Sequence, residues 1–387
     1  MEFDVIIVGG GLAGASLAVA LRTAQRKVAL VESRPPVRPA VWDQRLYAVS
    51  PASRAFLSRI GAWENFDPQR LCSVPAMEVY GDAAGKLRFS AYEAGVAELA
   101  VIAESSTMLL ELWESLKRQH NVSVFCPDSP SELELGAEGA SLQLASGRRL
   151  DGRLIVAADG AQSWVRERAG IEARFAPYGE FGVVANFSCE QAHDAIARQW
   201  FREDGILAWL PLPGRRVSMV WSTPEEHAQS LLGLDEAELG EKVAAAGGHA
   251  LGNMTAEGTA AAFPLQLMRV TETVRPRLAL IGDAAHVIHP LSGHGINLGF
   301  MDAEALARHI TQLPLWRDPG ELPVLRAYAR ERAEEPALLQ GVTHGLNRLF
   351  NTSDPLLRWA RNCGMNLTDK LPVVRSALVR YATSGRF

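Results

Sequence analysis

The stretch DVIIVGGGLAGASLAVALR, which opens at Asp4, limits the fold of this chain more than any other segment. It does not resemble a secretion signal, because no Lys or Arg precedes its apolar run. It is also a poor membrane span, since a spanning helix needs about 20 apolar residues and each interior glycine costs roughly 1 kcal/mol. The pattern instead predicts a β-branched strand over 5–8, a glycine turn, and an Ala- and Leu-rich helix that begins near Leu12.

The glycine turn has the spacing of a dinucleotide-binding site. Gly9 suits a tight turn, Gly11 lets a pyrophosphate approach the backbone, and Gly14 permits close packing of the helix on the strand. The helix start, at Leu12 and Ala13, supplies N–H groups without helical partners and the positive end of the helix dipole. The turn therefore predicts a bound pyrophosphate.

A second strand, in RKVALVES, ends at Glu32 and Ser33. A carboxylate at this position accepts hydrogen bonds from the ribose hydroxyls of an adenosine and repels a 2′-phosphate. Strand, glycine turn, helix, strand and acid in this order predict an adenine dinucleotide. NAD and FAD share the turn, and both stay open at this point.

Composition excludes several other classes. The chain has 387 residues, which is enough for two domains, and its 48% hydrophobic and 21% charged content is that of an ordinary globular protein. A net charge of −5 argues against nucleic-acid binding, since no basic excess is present to neutralise phosphates. The scattered cysteines form no C-x-x-C pair, so we expect no metal site and a reducing, cytoplasmic location.

A change in residue composition and spacing along the chain predicts two domains. Residues 99–118 have the spacing of a helix, whereas RLIVAADG, from Arg153, is typical of a buried strand. Between 176 and 270 the chain becomes β-branched and aromatic, and GILAWLPL and RRVSMVWST, joined at Pro213, predict an antiparallel hairpin.

The predicted fold class is α/β: a discontinuous, Rossmann-like cofactor-binding domain with an inserted, mainly antiparallel β-sheet substrate domain and C-terminal helices. The predicted boundaries are 1–72, 99–175 and 271–387 for the cofactor domain with its C-terminal helices, and 73–98 and 176–270 for the substrate domain.

Two further aspartates follow predicted strands. Asp159 ends RLIVAAD and is a candidate cofactor-binding residue; the alternative is that it only caps the helix that follows. Asp283 ends the strand in RLALIGD and suits a sugar-like hydroxyl. The loop after it carries Gly293 and Gly295, which let backbone amides approach a flat ring, and the start of the next helix stabilises negative charge there.

These stretches together resemble the flavin-dependent aromatic hydroxylases of the p-hydroxybenzoate hydroxylase superfamily, and within it the ubiquinone-biosynthesis hydroxylases. The family motif His-Pro, an aliphatic residue, a small residue, then Gly-Gln-Gly-x-Asn-x-Gly-x-x-Asp is matched by HPLSGHGINLGFMD at 289–302. Two residues depart from it: Ser292 stands where Ala or Gly is usual, and His294 replaces Gln. DQRLYAVS, with Arg45, and AWLPLPGRRVSMVWS extend the similarity over most of the chain.

The resemblance implies that the cofactor is FAD. Two sets of residues join the expected cofactor-binding residues. One is Arg45, which lies close to the flavin in the family, and the other is the loop residues Pro290, Ile296 and Asn297. The glycines and Asn297 of the motif are intact. The two departures therefore bear more on which substrate is bound than on whether FAD is bound. His294 is expected to be an exposed loop residue, and we expect His286 and His289 to pack beside the loop.

The implied reaction is hydroxylation of an aromatic ring, in which reduced FAD takes up O₂ at C4a and the hydroperoxide transfers one oxygen atom. The substrate would be a polyprenyl phenol intermediate of ubiquinone biosynthesis, with a soluble aromatic compound as the alternative. A flavin-binding subunit without turnover of its own is a further alternative. No general base is assigned. No second dinucleotide turn is present, so NAD(P)H would bind transiently or an electron-transfer partner would reduce the flavin.

The C-terminal segment 341–387 reverses the charge of the chain, with seven Lys and Arg residues against two Asp. Apolar residues alternate with these charges. Two interpretations stay open: terminal helices with a solvated basic face, or a patch that contacts the inner face of a membrane where a polyprenyl substrate resides.

Overall fold

The computed structural model describes residues 2–81, 85–289 and 293–350, of which 346–350 by backbone alone, together with 371, 375, 376 and 379. Within these residues the strands are β1 Glu2–Val8, β2 Val28–Val31, β3 Leu46–Val49, β4 Cys72–Val74, β5 Ala76–Tyr80, β6 Lys86–Ser90, β7 Ala100–Glu104, β8 Val122–Phe125, β9 Pro130–Leu135, β10 Ala140–Leu144, β11 Arg149–Ala157, β12 Ala173–Cys189, β13 Ile196–Arg202, β14 Gly205–Leu212, β15 Arg216–Pro224, β16 Met254–Ala256, β17 Ala261–Val270, β18 Val274–Arg275, β19 Leu278–Leu280 and β20 His286–Val287. The helices are α1 Leu12–Ala20, α2 Pro51–Arg59, α3 Ala91–Ala94, α4 Ser105–Lys117, α5 Trp164–Arg168, α6 Glu225–Leu232, α7 Glu236–Ala246, α8 Gly295–Thr311, α9 Leu322–Arg332 and α10 Glu334–Phe350.

The first sheet has a parallel core in the order β19-β11-β1-β2-β8, extended by antiparallel β18, β10 and β9. Its strands are continuous apolar runs because both faces are covered. Val5 and Ile7 of β1 contribute to the core under α1, α4 and α8, whereas Ile6 and Val8 contribute to the core on the opposite face. The carboxyl ends of β1, β2, β11 and β19 therefore meet at one edge.

The second sheet is mainly antiparallel, in the order β20-β17-β12-β15-β14-β13-β5-β6. The predicted hairpin is confirmed, since β14 and β15 pair antiparallel across the turn at 213–215. One face, with Leu207, Trp209 and Trp221, packs against α6 and α7. On the other face, Leu210 and Leu212 share a cluster with residues of the 42–48 segment, which belongs to the cofactor half of the chain.

A third, three-stranded sheet, β3-β7-β4, corrects one prediction. Helical spacing was expected from 99 to 118, but 100–104 form strand β7, and only 105–117 form helix α4. The β-branched Val101 and Ile102 lie in the strand and are almost fully buried, so pairing with β3 and β4 determines their conformation.

The predicted α/β class, with an inserted antiparallel sheet and C-terminal helices α9 and α10, is confirmed. The chain leaves the first sheet after β11, builds most of the second from β12 to β17, and returns at β18. The exact domain boundaries stay a prediction.

Candidate cofactor site

Of the three glycines of the G-x-G-x-x-G motif after β1, two are required by packing and one faces open space. A Cβ on Gly9, whose φ is +103°, would lie 2.3 Å from the carbonyl oxygen of Ala158. A Cβ on Gly14 would lie 1.9 Å from the carbonyl oxygen of Gly9. Gly11, which caps α1, has a φ of −68°, and its Cβ would meet no atom within 4 Å. The surface over the start of α1 is thus left open for a ligand.

Gly10, in the same turn, is held from both sides. Its N–H donates to Glu32 Oε2 (2.7 Å), and its carbonyl accepts from the indole Nε1 of Trp113 in α4 (2.9 Å). The sequence carries no local signal for Trp113, since it lies 103 positions away. These bonds fix the turn before any ligand binds.

Glu32 lies directly after β2, as predicted, but its carboxylate is largely engaged. Besides Gly10, Ser33 Oγ and the Arg34 N–H donate to its Oε1, each at 3.0 Å. A carboxylate has about four acceptor positions, so about one is left for a ligand hydroxyl. The Ser33 hydroxyl proton is likewise directed at Glu32.

Leu12 and Ala13 contribute in different ways. The side chain of Leu12 is buried in the core, so only its backbone faces the turn. The Cβ of Ala13 is 3.2 Å from the position of a Cβ on Gly282 and 3.4 Å from that of a Cβ on Gly299. Because Gly282 and Gly299 carry no side chain, α8 and the loop after β19 pack closely against α1. The N-termini of α1 and α8 are thereby brought to the same edge of the sheet.

The start of α8 is fixed by Asn297. Its Oδ1 accepts from the Ser50 N–H (2.9 Å), and its Nδ2 donates to the carbonyls of Ala48 (2.9 Å) and Gly293 (3.2 Å). The side chain of Asn297 therefore ties the loop to β3, and what it offers a ligand is its backbone. A Cβ on Gly295 would meet no atom within 4 Å, so this helix start also faces open space.

Asp283 lies just after β19 in a single 3-10 turn and is solvent-exposed. Burial by the surrounding protein nevertheless raises its pKa, although the charges of Arg45 and His286 act in the opposite direction. A carboxylate that is accessible yet enclosed by protein lines a groove. The guanidinium of Arg45 lies 5.6 Å from the centre of the Tyr47 ring, and Asp283 is among the charges that act on it.

The segment that carries Arg45 is anchored by a buried ion pair. Asp43 accepts from the Arg45 N–H (2.9 Å) and the Ser106 N–H (3.0 Å), and its own N–H donates to Glu104 (2.7 Å). Glu104 is completely buried and receives two hydrogen bonds from Arg70. Glu104 and Arg70 are long-range partners that the sequence pattern did not reveal.

A second buried network holds Asp283 in place. Asp302, the last residue of the family motif, accepts from the Gly282 N–H (3.0 Å), from His286 Nε2 (2.7 Å) and from Arg332 Nε (2.8 Å). Gly282 adjoins Asp283, so Asp302 joins α8 to the turn that carries the groove carboxylate.

Asp159 lies beside the glycine turn, since a Cβ on Gly9 would come within 2.8 Å of its nitrogen. Its Oδ2 accepts from the Val165 N–H at the start of α5 (3.0 Å), as expected for a capping residue. Its Oδ1 is buried and accepts no hydrogen bond from any described residue. Burial raises its pKa.

The remaining loop residues have mixed outcomes. Ile296 packs against the core under α1. His289 is buried, with its Nε2 3.2 Å from Glu180 Oε2 in β12, and its packing beside the loop stays a prediction. His294 is half-buried at the N-cap of α8, not an exposed loop residue, because the helix begins immediately after it. Pro290 lies outside the described residues.

The donor and acceptor set fits an adenine dinucleotide with a flat ring. Two helix starts, two glycine surfaces without Cβ, the Asp159 oxygen without a described partner and the exposed Asp283 lie at one edge of the first sheet, which is the candidate groove. Amides of the helix starts suit phosphate and an electron-rich ring, and the carboxylates suit hydroxyls. Among the residues described, no group of three His, Cys, Asp or Glu side chains is arranged to hold a metal ion.

Comparison with known proteins agrees with this fit. A protein-family profile described as an FAD binding domain matches residues 134–339, and a second FAD binding domain profile matches 4–41. Among solved structures, p-nitrophenol 4-monooxygenase from Pseudomonas putida superposes with a TM-score of 0.81 over 100% of both chains at 19% identity, which shows a shared fold. The fold and site define an FAD-dependent monooxygenase.

Two relatives place the chain in one family within the FAD-dependent monooxygenases. The 3-demethoxyubiquinol 3-hydroxylase of Escherichia coli is 31% identical over 98% of both chains. The mitochondrial ubiquinone biosynthesis monooxygenase COQ6 of Xenopus tropicalis is 31% identical over 98% of this chain and 93% of its own. The chain belongs to the family of ubiquinone-biosynthesis hydroxylases, which confirms the resemblance.

Proposed function

We propose that the chain hydroxylates the aromatic ring of a polyprenyl phenol in ubiquinone biosynthesis, with FAD bound in the groove described above. The observation that carries this proposal is similarity over nearly the whole chain, including both sheets, to enzymes named as ubiquinone hydroxylases. Bound FAD supplies the activation of O₂ for transfer of one oxygen atom to the ring.

For the cofactor, we propose one role for each part of the groove. The amides at Gly11, Leu12 and Ala13 hold the pyrophosphate, and Glu32 accepts one ribose hydroxyl, with Ser33 orienting its carboxylate. Asp283 accepts from the ribityl chain. The amides around Gly293 to Asn297 face the flavin ring, and Arg45 covers its other side. Pro290 remains a proposed contact on the sequence motif alone.

Asp159 is the proposed residue in the second aspartate segment. Its Oδ1 lacks a hydrogen-bond donor among the described residues, and bound FAD would supply one, since Asp159 adjoins Gly9.

The protein's contribution to the reaction is to position the phenol and to exclude water. We propose that GILAWLPL, in β14, forms one wall of the substrate cavity through the face of the strand that carries Leu210. Leu207 and Trp209 are directed into the core under α6 and α7, while Leu210 packs toward the 42–48 segment. An apolar wall beside the flavin protects the activated oxygen from loss to water.

The reductant and the membrane are further proposals. We propose that NAD(P)H, or a protein electron donor, reduces the flavin without a resident second dinucleotide site.

We also propose contact with the inner face of the membrane through the basic segment 341–387, where a polyprenyl substrate would be reached. Arg375 of this segment does not contribute to a free basic face, since it pairs with Glu93 at 3.1 Å. No helix among the described residues has the length and apolar character needed to cross a membrane.

Turnover of the holoenzyme tests the function. Purified protein with FAD, NAD(P)H and O₂ is supplied either with a phenol that carries a short prenyl chain or with the same phenol without the chain, and product and H₂O₂ are quantified. We expect hydroxylated product from the prenylated phenol in preference. Product from the unprenylated phenol alone would favour a soluble substrate, and no product from either, also when the flavin is reduced chemically before O₂ is added, would favour a non-catalytic flavin-binding subunit.

A further inference from the structure

Two neighbouring polar side chains in the second sheet lack the partners that buried groups require. Asn186 in β12 and Ser218 in β15 are directly opposite each other in the strand register and are 2% and 1% exposed. Asn186 Oδ1 and Ser218 Oγ are buried and form no hydrogen bond with any described residue. Because buried polar atoms are almost always paired, two adjacent exceptions indicate a partner that the protein itself does not supply.

The pair lies on the wall that faces the cofactor groove. Asn186 Nδ2 donates to the carbonyl of Asp43 (3.1 Å), and Asp43 in turn accepts from the backbone N–H of Arg45. Ser218 is opposite Leu210 on its other side, and Leu210 packs with the cluster that contains Leu46 and Ala48. Asn186 thus contacts a residue that lies two positions before Arg45, in the segment proposed to cover the flavin.

The surroundings of the pair are apolar on two sides. Val184 and Val220, the next residues along the two strands on the same face, are also direct partners in the register. Leu210 forms the second apolar side. Asn186 and Ser218 therefore lie where the wall changes from apolar residues to the polar Ser188 and to Arg216, whose charge is paired with Glu257, as suits a subsite that orients a largely apolar ligand.

The chemistry of the pair selects a neutral hydroxyl. The bond from Asn186 Nδ2 to Asp43 fixes the amide orientation, so that Oδ1 can only accept. Ser218 Oγ can donate as well as accept. A ligand atom that donates to one and accepts from the other is a hydroxyl, whereas a carboxylate would face the Asn186 oxygen with no charge on either residue to compensate it.

We propose that Asn186 and Ser218 bind the phenolic hydroxyl of the substrate: the phenol donates to Asn186 Oδ1 and accepts from Ser218 Oγ. This inference rests on the proposed function and extends it. Holding the hydroxyl at one point of the wall fixes the rotation of the ring, and hence which ring carbon faces the flavin. The pair is therefore a specificity determinant for the position of hydroxylation.

The test compares two ligands on the oxidised holoenzyme: a phenol with a single prenyl unit, and prenylbenzene, which lacks the hydroxyl. Binding is followed by the change in the visible absorbance of the flavin, without turnover. We expect wild-type protein to prefer the phenol, and Ser218→Ala to weaken phenol binding about 5- to 10-fold while leaving prenylbenzene binding unchanged, since one hydrogen bond is lost. In turnover, Ser218→Ala should also yield more H₂O₂ and a broader set of product isomers.

Ser188→Ala is the matched control, because Ser188 lies on the same face of β12 and its hydroxyl already has a partner in the carbonyl of Thr255 (3.4 Å). It should behave as wild type. A second variant, Asn186→Leu, removes the acceptor and should abolish the preference for phenol over prenylbenzene, with its FAD content measured alongside.

Equal phenol binding by Ser218→Ala and wild type, with wild type still hydroxylating the phenol, would overturn the inference alone and assign the pair to an ordered water. Failure of wild type to hydroxylate any phenol would instead overturn the proposed function. A parallel loss for phenol and prenylbenzene in Ser218→Ala would show general damage to the wall and would also count against the subsite.

Discussion

At the residue scale, the three glycines of the G-x-G-x-x-G motif differ in what they do. Gly9 and Gly14 are required by the fold, because a Cβ at either would overlap a backbone carbonyl oxygen. Gly11 is not, since its φ is ordinary and the space around it is open. The absence of a side chain at Gly11 therefore has an explanation only if something else occupies that space.

Gly11→Ala should separate folding from cofactor binding. We expect a free energy of unfolding of the apoprotein within about 0.5 kcal/mol of wild type, because the methyl group meets no protein atom. The dissociation constant for FAD should rise at least tenfold, because the methyl group occupies the approach of the pyrophosphate. Denaturant titration and flavin fluorescence measure the two quantities. Gly14→Ala is the contrasting variant and should be strongly destabilised; unchanged FAD affinity in Gly11→Ala would contradict the proposed position of the pyrophosphate.

Asp283→Ala should purify with markedly less FAD. The carboxylate faces the groove and makes no contribution to the core, so its loss is expected to weaken the cofactor more than the fold. Flavin content per chain after gel filtration is the measurement. Asp151→Ala, an exposed carboxylate at the far end of the first sheet, is the control and should retain its flavin. Full occupancy in Asp283→Ala would show that this loop does not hold the cofactor.

At the scale of elements, the joint between β19 and α8 is the network in which Asp302 binds Gly282, His286 and Arg332. Its strength depends on the ionisation of His286 and Asp302. Burial acts to lower the pKa of His286, but the charge of Asp302 and its hydrogen bond outweigh burial and raise it. The pKa of Asp302 is lowered: burial acts to raise it, but His286 and Arg332 stabilise the carboxylate. The joint that places Asp283 is thus strongest when His286 is protonated and Asp302 is ionised.

The sign of the pH dependence follows from these shifts. The contribution of His286 is complete below its ordinary pKa of 6.5 and is lost as the pH rises through the raised folded-state value. The contribution of Asp302 to stability is present above its ordinary pKa of 3.8, and it is lost as the pH falls through the lowered pKa of the folded state. In saturating FAD, wild type should therefore exceed His286→Asn in free energy of unfolding by about 1–3 kcal/mol near pH 5, and by less at high pH. A difference that stays constant or grows toward high pH would refute this assignment.

Local pattern was sufficient to predict some of these elements and not others. The glycine turn, Glu32, Asp159 and Asp283 were predictable because each directly follows a strand, and carboxyl ends of parallel strands share one edge. Strand β7 was taken as helix because its five residues precede a true helix and their β-structure depends on pairing with distant strands. Sequence spacing carries no information about such pairing.

The supporting residues of the site were not predictable for the same reason. Trp113, Glu104 and Arg70 act on the glycine turn and on the Arg45 segment across long stretches of chain. Their residue types are ordinary for a helix or a surface, and only the fold brings them to the site. Asn186 and Ser218 were within a correctly predicted β region, but only the strand register shows that they face each other.

At the scale of the whole molecule, side chains link the two halves near the groove. Asn186 bonds to Asp43, and Gln44 bonds to the carbonyl of Thr259. These contacts fix the substrate wall relative to the Arg45 segment. The geometry between flavin and substrate would thus be set by the fold rather than by a flexible linker.

The membrane proposal is tested at this scale with anionic liposomes. We expect wild-type protein to float with the vesicles and the double charge reversal Arg358→Glu/Arg361→Glu to float less, with about 1 kcal/mol of attraction lost per cation. Lys117→Glu/Arg118→Glu, an equal reversal at the exposed end of α4, is the control. Arg375 is unsuitable for reversal because of its pairing with Glu93. Absence of wild-type flotation would remove the membrane contact.

The central claim is that three distant segments, at Gly9–Gly14, Asp159 and Asp283–Asn297, together bind one FAD. The visible absorption spectrum of the purified protein, recorded before and after incubation with FAD and gel filtration, tests it most directly. We expect a flavoprotein spectrum with one FAD per chain. A protein that stays colourless and retains no flavin after reconstitution would contradict the claim.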